Sequence, residues 1–205
     1  MPGPVMQAFM VLPIVVAVVV VGFRAGGIRA LLTLRLRHRW LVGVAVAVQL
    51  LRQSDPGWAM TVLSAAGGIV PVILIWLLVV TFASLNFSMM ASRARVAMAM
   101  FIVGMTLNTV VIAVNEGMPF SVGAARWAGL TEAEIDAYVP GHPPLTNVSR
   151  LAPLADVVPV PGVHAVASVG DVLIFGGLTW LLIAIMMRGI RDPAASTSVR
   201  RDQLS

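Results

Sequence analysis

The chain has no cysteine and no lysine; all 14 of its basic residues are arginine. The first absence removes disulfides, thiolate metal sites and cysteine nucleophiles together. Charge is scarce as well: 11% of the 205 residues are charged and 59% are hydrophobic, with a mean hydropathy of +0.93. A soluble domain carries roughly 25% charged and roughly 45–50% apolar residues, so an ordinary water-soluble globule is excluded. Histidine is limited to 3 residues without H-x3-H spacing, so neither a metal site nor a cofactor is expected. The sequence pI of about 11.4 would suit nucleic acid. These arginines, however, sit between apolar runs without aromatic interleaving, and no nucleic-acid partner is expected. They read as topology determinants and lipid-headgroup contacts.

What the sequence does have is apolar runs near the roughly 20 residues that span a bilayer. Five can be placed, at 9–23, 40–51, 59–85, 96–114 and 169–187. The expected fold is therefore all-α: an integral membrane bundle of about five transmembrane helices with an ordered extracytoplasmic loop. Residues 1–187 form one membrane domain, 115–165 its outer loop and 188–205 a cytoplasmic polar tail. The first run lacks a basic segment before it and a small-residue cleavage site after it, so it reads as a span and not a signal peptide. Arg24, Arg29, Arg35, Arg37 and Arg39 alternate with apolar residues as in a helix on a membrane surface. The second run is short, and extending it back to Leu34 with snorkelling arginines closes the gap. Gly67, Gly68 and Pro71 predict a kink in the third. Gly26-Gly27, Gly67-Gly68 and Gly176-Gly177 are read as helix-packing positions, because no strand precedes them as phosphate loops require.

Five spans put the termini on opposite sides. With 24–39 inside, Arg93, Arg95, Arg188, Arg191, Arg200 and Arg201 are also inside, leaving only Arg52, Arg126 and Arg150 outside. The positive-inside bias selects N-terminus out and C-terminus in, in a bacterial cytoplasmic (inner) membrane. The partners expected are the lipid bilayer and other membrane-protein subunits.

The outer loop then carries Glu116, Glu132, Glu134, Asp136 and Asp156. Thr131 and Glu134 have capping-box spacing, with Leu130 and Ile135 as the hydrophobic staple, predicting a helix over 132–138 that stops before Pro140-Gly141. Phe120, Trp127, Leu145, Leu151 and Val157 are the outer loop's expected apolar anchors. Ser168-Val169-Gly170-Asp171 has the same capping spacing at the start of the last span. Asp171 also stands at a membrane boundary, where an ionisable group marks a candidate site. Asp171 and Asp156 are the candidate catalytic residues, and Asn108, Asn115 and Arg150 the candidate binding residues, with Arg150 expected to approach one of the two aspartates.

Two resemblances follow from these motifs. Phe23-Arg24-Ala25-Gly26-Gly27, the run from Leu34 to Trp40, Gln49, Asn108, Asn115-Glu116-Gly117-Met118-Pro119, Leu154-Ala155-Asp156 and Ser168-Val169-Gly170-Asp171 together resemble a bacterial membrane-protein family known only as a domain of unknown function, the 5317 type. That resemblance implies five helices and no assigned activity. A second set is similar to the lipoprotein signal peptidases, four-helix membrane aspartyl proteases. It comprises Asn115-Glu116-Gly117-Met118-Pro119-Phe120, Asn147-Val148-Ser149-Arg150, Asp156 and Val169-Gly170-Asp171. This resemblance implies an aspartyl hydrolase using Asp156 and Asp171, with Ser149 standing where the first aspartate belongs. The residues themselves offer no nucleophile constellation and no metal spacing. They favour a non-enzymatic accessory subunit or small hydrophobic-ligand binder over the hydrolase.

Overall fold

The computed structural model describes residues 36–54, 69–139 and 142–191. The expected first span, most of the basic 24–39 segment and nearly all of the polar tail lie outside those residues. Helix α1 is Trp40–Ser54 and α2 is Val70–Asn86, which a 3-10 turn at Phe87–Met89 joins to α3, Ser92–Asn115. The last helix, α6, is Val169–Arg191. Between α3 and α6 a cap folds from α4 (Val122–Trp127), α5 (Glu132–Tyr138), a 3-10 turn at Ala152–Leu154 and strands β1 (Val158–Val160) and β2 (Ala165–Ala167). The described chain is thus mostly helical, with one small hairpin at the end of the expected outer loop. β1 and β2 are antiparallel, pairing Val158 with Ala167 and Val160 with Ala165.

Val70–Met89 and Ser92–Asn115 are long and apolar enough to cross a membrane; Trp40–Leu51 and Val169–Ile185 are apolar but shorter. Only 22% of the apolar window is buried in each of the two longer helices. One expectation here is corrected. The second span does not extend backward, because residues 37–39 form a turn. Asn86 holds that turn: its Oδ1 accepts from the Arg37 amide at 2.8 Å and its Nδ2 donates to the Arg37 carbonyl at 3.0 Å. Pro71 lies in the first turn of α2, where its missing N–H has no partner within that helix; Gly67 and Gly68, with the first part of the expected third span, lie outside the described residues.

In the bundle α2 runs antiparallel to α1 and to α3, and α6 antiparallel to α3, and each of these interfaces carries a polar clip. Asn86 joins α2 to the turn before α1, and Trp76 Nε1 donates to Thr106 Oγ1 at 2.9 Å between α2 and α3. The α3–α6 interface is the most intimate. A Cβ on Gly104 would lie 2.5 Å from the Gly170 carbonyl oxygen, and one on Gly177 would lie 2.7 Å from the Phe101 amide nitrogen. Only glycine lets the two backbones approach this closely. Gly176, by contrast, has only the Met100 Cε methyl nearby, at 3.9 Å.

Leu41, Phe82, Ala83, Ala94, Ala97, Met98 and Leu181 form the bundle core towards one end. That end also carries Arg37, Arg39, Arg93 and Arg95, while Glu116, Glu132, Glu134 and Asp136 are exposed on the cap at the other. Arg95 ties the α2–α3 turn together, donating to the Met90 and Ser88 carbonyls at 2.9 and 3.3 Å.

Candidate functional site

Two polar groupings meet where the cap sits on the bundle. The first is built on the start of α6. Ser168 Oγ accepts from the Asp171 amide at 3.0 Å, and Asp171 Oδ2 accepts from the Ser168 amide at 2.9 Å. This is the reciprocal capping box that the S-x-x-D spacing predicts; it satisfies amides that the helix start leaves unpaired. Asn108 completes it from α3, donating from Nδ2 to Asp171 Oδ1 at 2.8 Å and accepting from Ser168 Oγ at 2.9 Å. Gly170 makes room for it, since a Cβ there would overlap the Asn108 amide. Both Asp171 oxygens are therefore engaged by N–H donors.

The second grouping belongs to the cap. Pro119–Ser121 threads between two other segments. Phe120 N donates to Pro143 O at 3.0 Å and Phe120 O accepts from Leu145 N at 2.7 Å; Asp156 N donates to Pro119 O and Ser121 N to Asp156 O, each at 2.9 Å. Phe120 and Asp156 are a parallel bridged pair, so their side chains leave the ladder on the same face. Phe120 is fully buried with Ala125, Ile135 and Val166. Its ring meets Tyr138 edge-on at 5.1 Å, and the Tyr138 ring stacks on His142 at 4.2 Å. Asp156, beside Phe120, is only 3% exposed. Its Oδ1 and the Tyr138 hydroxyl are both buried without a hydrogen-bond partner.

The electrostatics follow from that burial. Desolvation, reinforced by the negative charge of Asp171, pushes the Asp156 carboxyl up to about 8. Burial likewise raises the Tyr138 phenol, with the charges of Asp156 and Asp171 acting in the same direction. At neutral pH this makes Asp156 a neutral carboxylic acid able to donate a hydrogen bond. Asp171 acts on it through charge, while its own oxygens stay committed to Ser168 and Asn108.

The sequence candidates divide accordingly. Asn108 and Asp171 are bonded to each other, and Asp156 lies within range of the Asp171 charge. Asn115 and Arg150 also come together, but through the Arg150 backbone: Asn115 Oδ1 accepts from its amide at 2.7 Å and Nδ2 donates to its carbonyl at 2.9 Å. The Arg150 side chain is exposed, so its expected approach to Asp156 or Asp171 is corrected; remaining solvated spares the guanidinium any desolvation. The ion pair among the described residues is instead Arg126–Glu132, at 2.8 Å and exposed. The capping box of α5 forms as expected, with Thr131 and Glu134 bonded reciprocally. Trp127 is not a cap anchor, being 69% exposed, and Leu151 is 43% exposed. Among the described residues no three His, Asp or Glu side chains gather as metal ligands. Tyr138 was not picked out from the sequence; the one signal available was that it is the only tyrosine in the chain.

Residues 33–183 match a family described as a family of unknown function, DUF5317. The chain belongs to that family. The matched stretch contains both polar groupings, from Asn108 through Tyr138 and Asp156 to Asp171. No curated protein and no solved structure matches the chain.

Proposed function

We propose that this DUF5317 member is a multi-pass inner-membrane protein, N-terminus out and C-terminus in, whose cap closes a binding site for a small, mainly apolar ligand. In this reading it serves as a ligand-binding accessory subunit. The observation that carries it is the buried Asp156 Oδ1 and Tyr138 hydroxyl, each lacking a partner inside the protein. Folded proteins pair such groups, and one left unpaired costs about 1–3 kcal/mol. A pair of them in one small cap is an expensive arrangement that an occupant would relieve.

Membrane residence is supported by apolar residues that point outward. Leu74, Leu77, Val103 and Val110 are all 42–50% exposed on the two long helices, a surface that suits lipid and is unfavourable in water. The orientation is supported by the arginines at the end of the bundle opposite the acidic cap. A reporter fused after Ser205 should be active only in the cytoplasm, and activity on the outer side alone would reverse the orientation.

The aspartyl-hydrolase reading draws on the charge coupling of Asp156 to Asp171. Against it stands the engagement of both Asp171 oxygens, because an acid–base dyad needs two close carboxyls free to share a proton. Native mass spectrometry of the protein released in mild detergent separates the readings. A one-to-one small-molecule adduct supports binding. Cleavage of lipoprotein-like peptides, lost in both Asp156→Asn and Asp171→Asn, would overturn it in favour of hydrolysis.

A further inference from the structure

We propose that Tyr138 Oη and Asp156 Oδ1 act as two neutral hydrogen-bond donors that grip one oxygen, the carbonyl of an uncharged and otherwise apolar ligand. This deepens the ligand-binding reading above and rests on it. Asp156 leaves its ladder on the same face as Phe120, and the Phe120 ring is in edge contact with Tyr138. Phe120 thus neighbours both residues, and the Asp156 carboxylate is close enough to add, through its charge, to the rise that burial gives the Tyr138 phenol. The two oxygens do not bond to each other, since both remain without a partner.

The chemistry selects the ligand. A neutral carboxyl and a phenol each offer an O–H, and the two together suit a carbonyl oxygen, which has two lone pairs. The negative charge of Asp171 nearby disfavours an anionic ligand. A metal cation would need further oxygen ligands, and among the described residues no three His, Asp or Glu side chains are grouped so as to hold one. The surrounding Phe120, Ile135 and Val166 are apolar, which suits a hydrocarbon body. The titratable groups facing Asp156 are Tyr138 from α5 and Asp171 from α6, with His142 stacked on the Tyr138 ring. Because burial holds the Asp156 proton up to about pH 8, the donor is present at neutral pH and is lost in alkali.

The test uses the full chain in detergent micelles, with carbonyl-13C cyclohexanone as the probe and methylenecyclohexane, the same ring without an oxygen, as the control. Bound ketone should show a carbonyl stretch displaced to lower frequency. Tyr138→Phe and Asp156→Leu should each weaken it about tenfold, as expected for one hydrogen bond to a buried group. Asp156→Asn keeps a donor, so it should still bind at pH 9, where the unchanged chain has lost affinity. Melting temperatures of all three variants establish that they fold. Equal binding of ketone and alkene, or variants that bind as the unchanged chain does, overturns the donor pair and leaves the ligand-binding reading standing. An ordered water between the two oxygens that saturating ketone fails to displace also overturns the pair. Binding of neither compound overturns the pair and the ligand-binding reading together.

Discussion

Burial of Asp156 ties stability to pH, and the perturbation that isolates the effect is Asp156→Asn. The carboxyl moves from an ordinary value of 3.8 to about 8 in the folded protein. The folded state therefore holds a proton that the unfolded state releases between those two values. Stability is highest below the unfolded value and falls as pH rises towards the folded one. The slope is about 1.4 kcal/mol per pH unit for one proton, so about 4 kcal/mol is lost between pH 5 and pH 8. Against a total stability on the order of 5–15 kcal/mol this is a large change, corresponding to about 10 °C in melting temperature for a chain of this size. Glu132 and Glu134 do not confuse the measurement. Arg126 and the Thr131 amide, respectively, hold them below the usual carboxylate range, so their contribution is present above that range and lost only in acid. Thermal unfolding in detergent, followed by tryptophan fluorescence at pH 5, 6, 7 and 8, should show a steady decline for the unchanged chain. It should show little slope for Asp156→Asn, which has no proton to lose. An equal slope in both proteins, or stability that rises across this window, would refute the assignment of a buried, protonated Asp156.

Other expectations follow from single contacts. Tyr138→Phe removes a buried hydroxyl without a partner and should raise ligand-free stability by about 1–2 kcal/mol in the same melts. Gly104→Ala should cost about 3 kcal/mol or more, because its Cβ would sit 2.5 Å from the Gly170 carbonyl oxygen on a facing helix. Gly176→Ala, with nothing nearer than 3.9 Å, should be neutral or stabilising. Glu116 ends α3 at φ +57°, so Glu116→Gly should gain about 1 kcal/mol in the melts by relieving a left-handed backbone. Asp171→Asn should cost only about 1–2 kcal/mol, since Asn108 can turn its amide over to accept from the new NH2 group; Asp171→Ala should cost clearly more, as it strands the Asn108 donor.

What was legible in the sequence was local. Both capping boxes rest on a spacing of three residues, and both form; the short helix runs Glu132–Tyr138 as the spacing predicts. Helix α3 extends the expected fourth span by a few residues at its start, and α6 begins at the expected Val169. What was hidden was pairing across distance. Asn108 and Asp171 lie 63 residues apart and Asn86 and Arg37 lie 49 apart, separations that no periodicity encodes. The segments that pair around Phe120 do so through one or two residues each, too short to present an alternating pattern. Expecting Arg150 to seek a buried acid assumed that the arginine itself was buried, whereas its backbone, held by Asn115, is the part that matters.

Few residues carry the information that positions the helices. α2 is apolar all round, so hydrophobicity cannot choose which face meets α1 and which meets α3. Directional bonds between polar groups in an apolar bundle can fix that choice. Asn86 against Arg37, Trp76 against Thr106, and Asn108 against Ser168 and Asp171 supply one fastening for each helix interface. Each of these side chains is used up in holding the bundle together. The Tyr138 hydroxyl and Asp156 Oδ1 are the buried side-chain polar atoms among the described residues that enter no such fastening. A fold that otherwise pairs its scarce buried polar groups gains nothing structural from these two, and that is the physical reason to look for function between them.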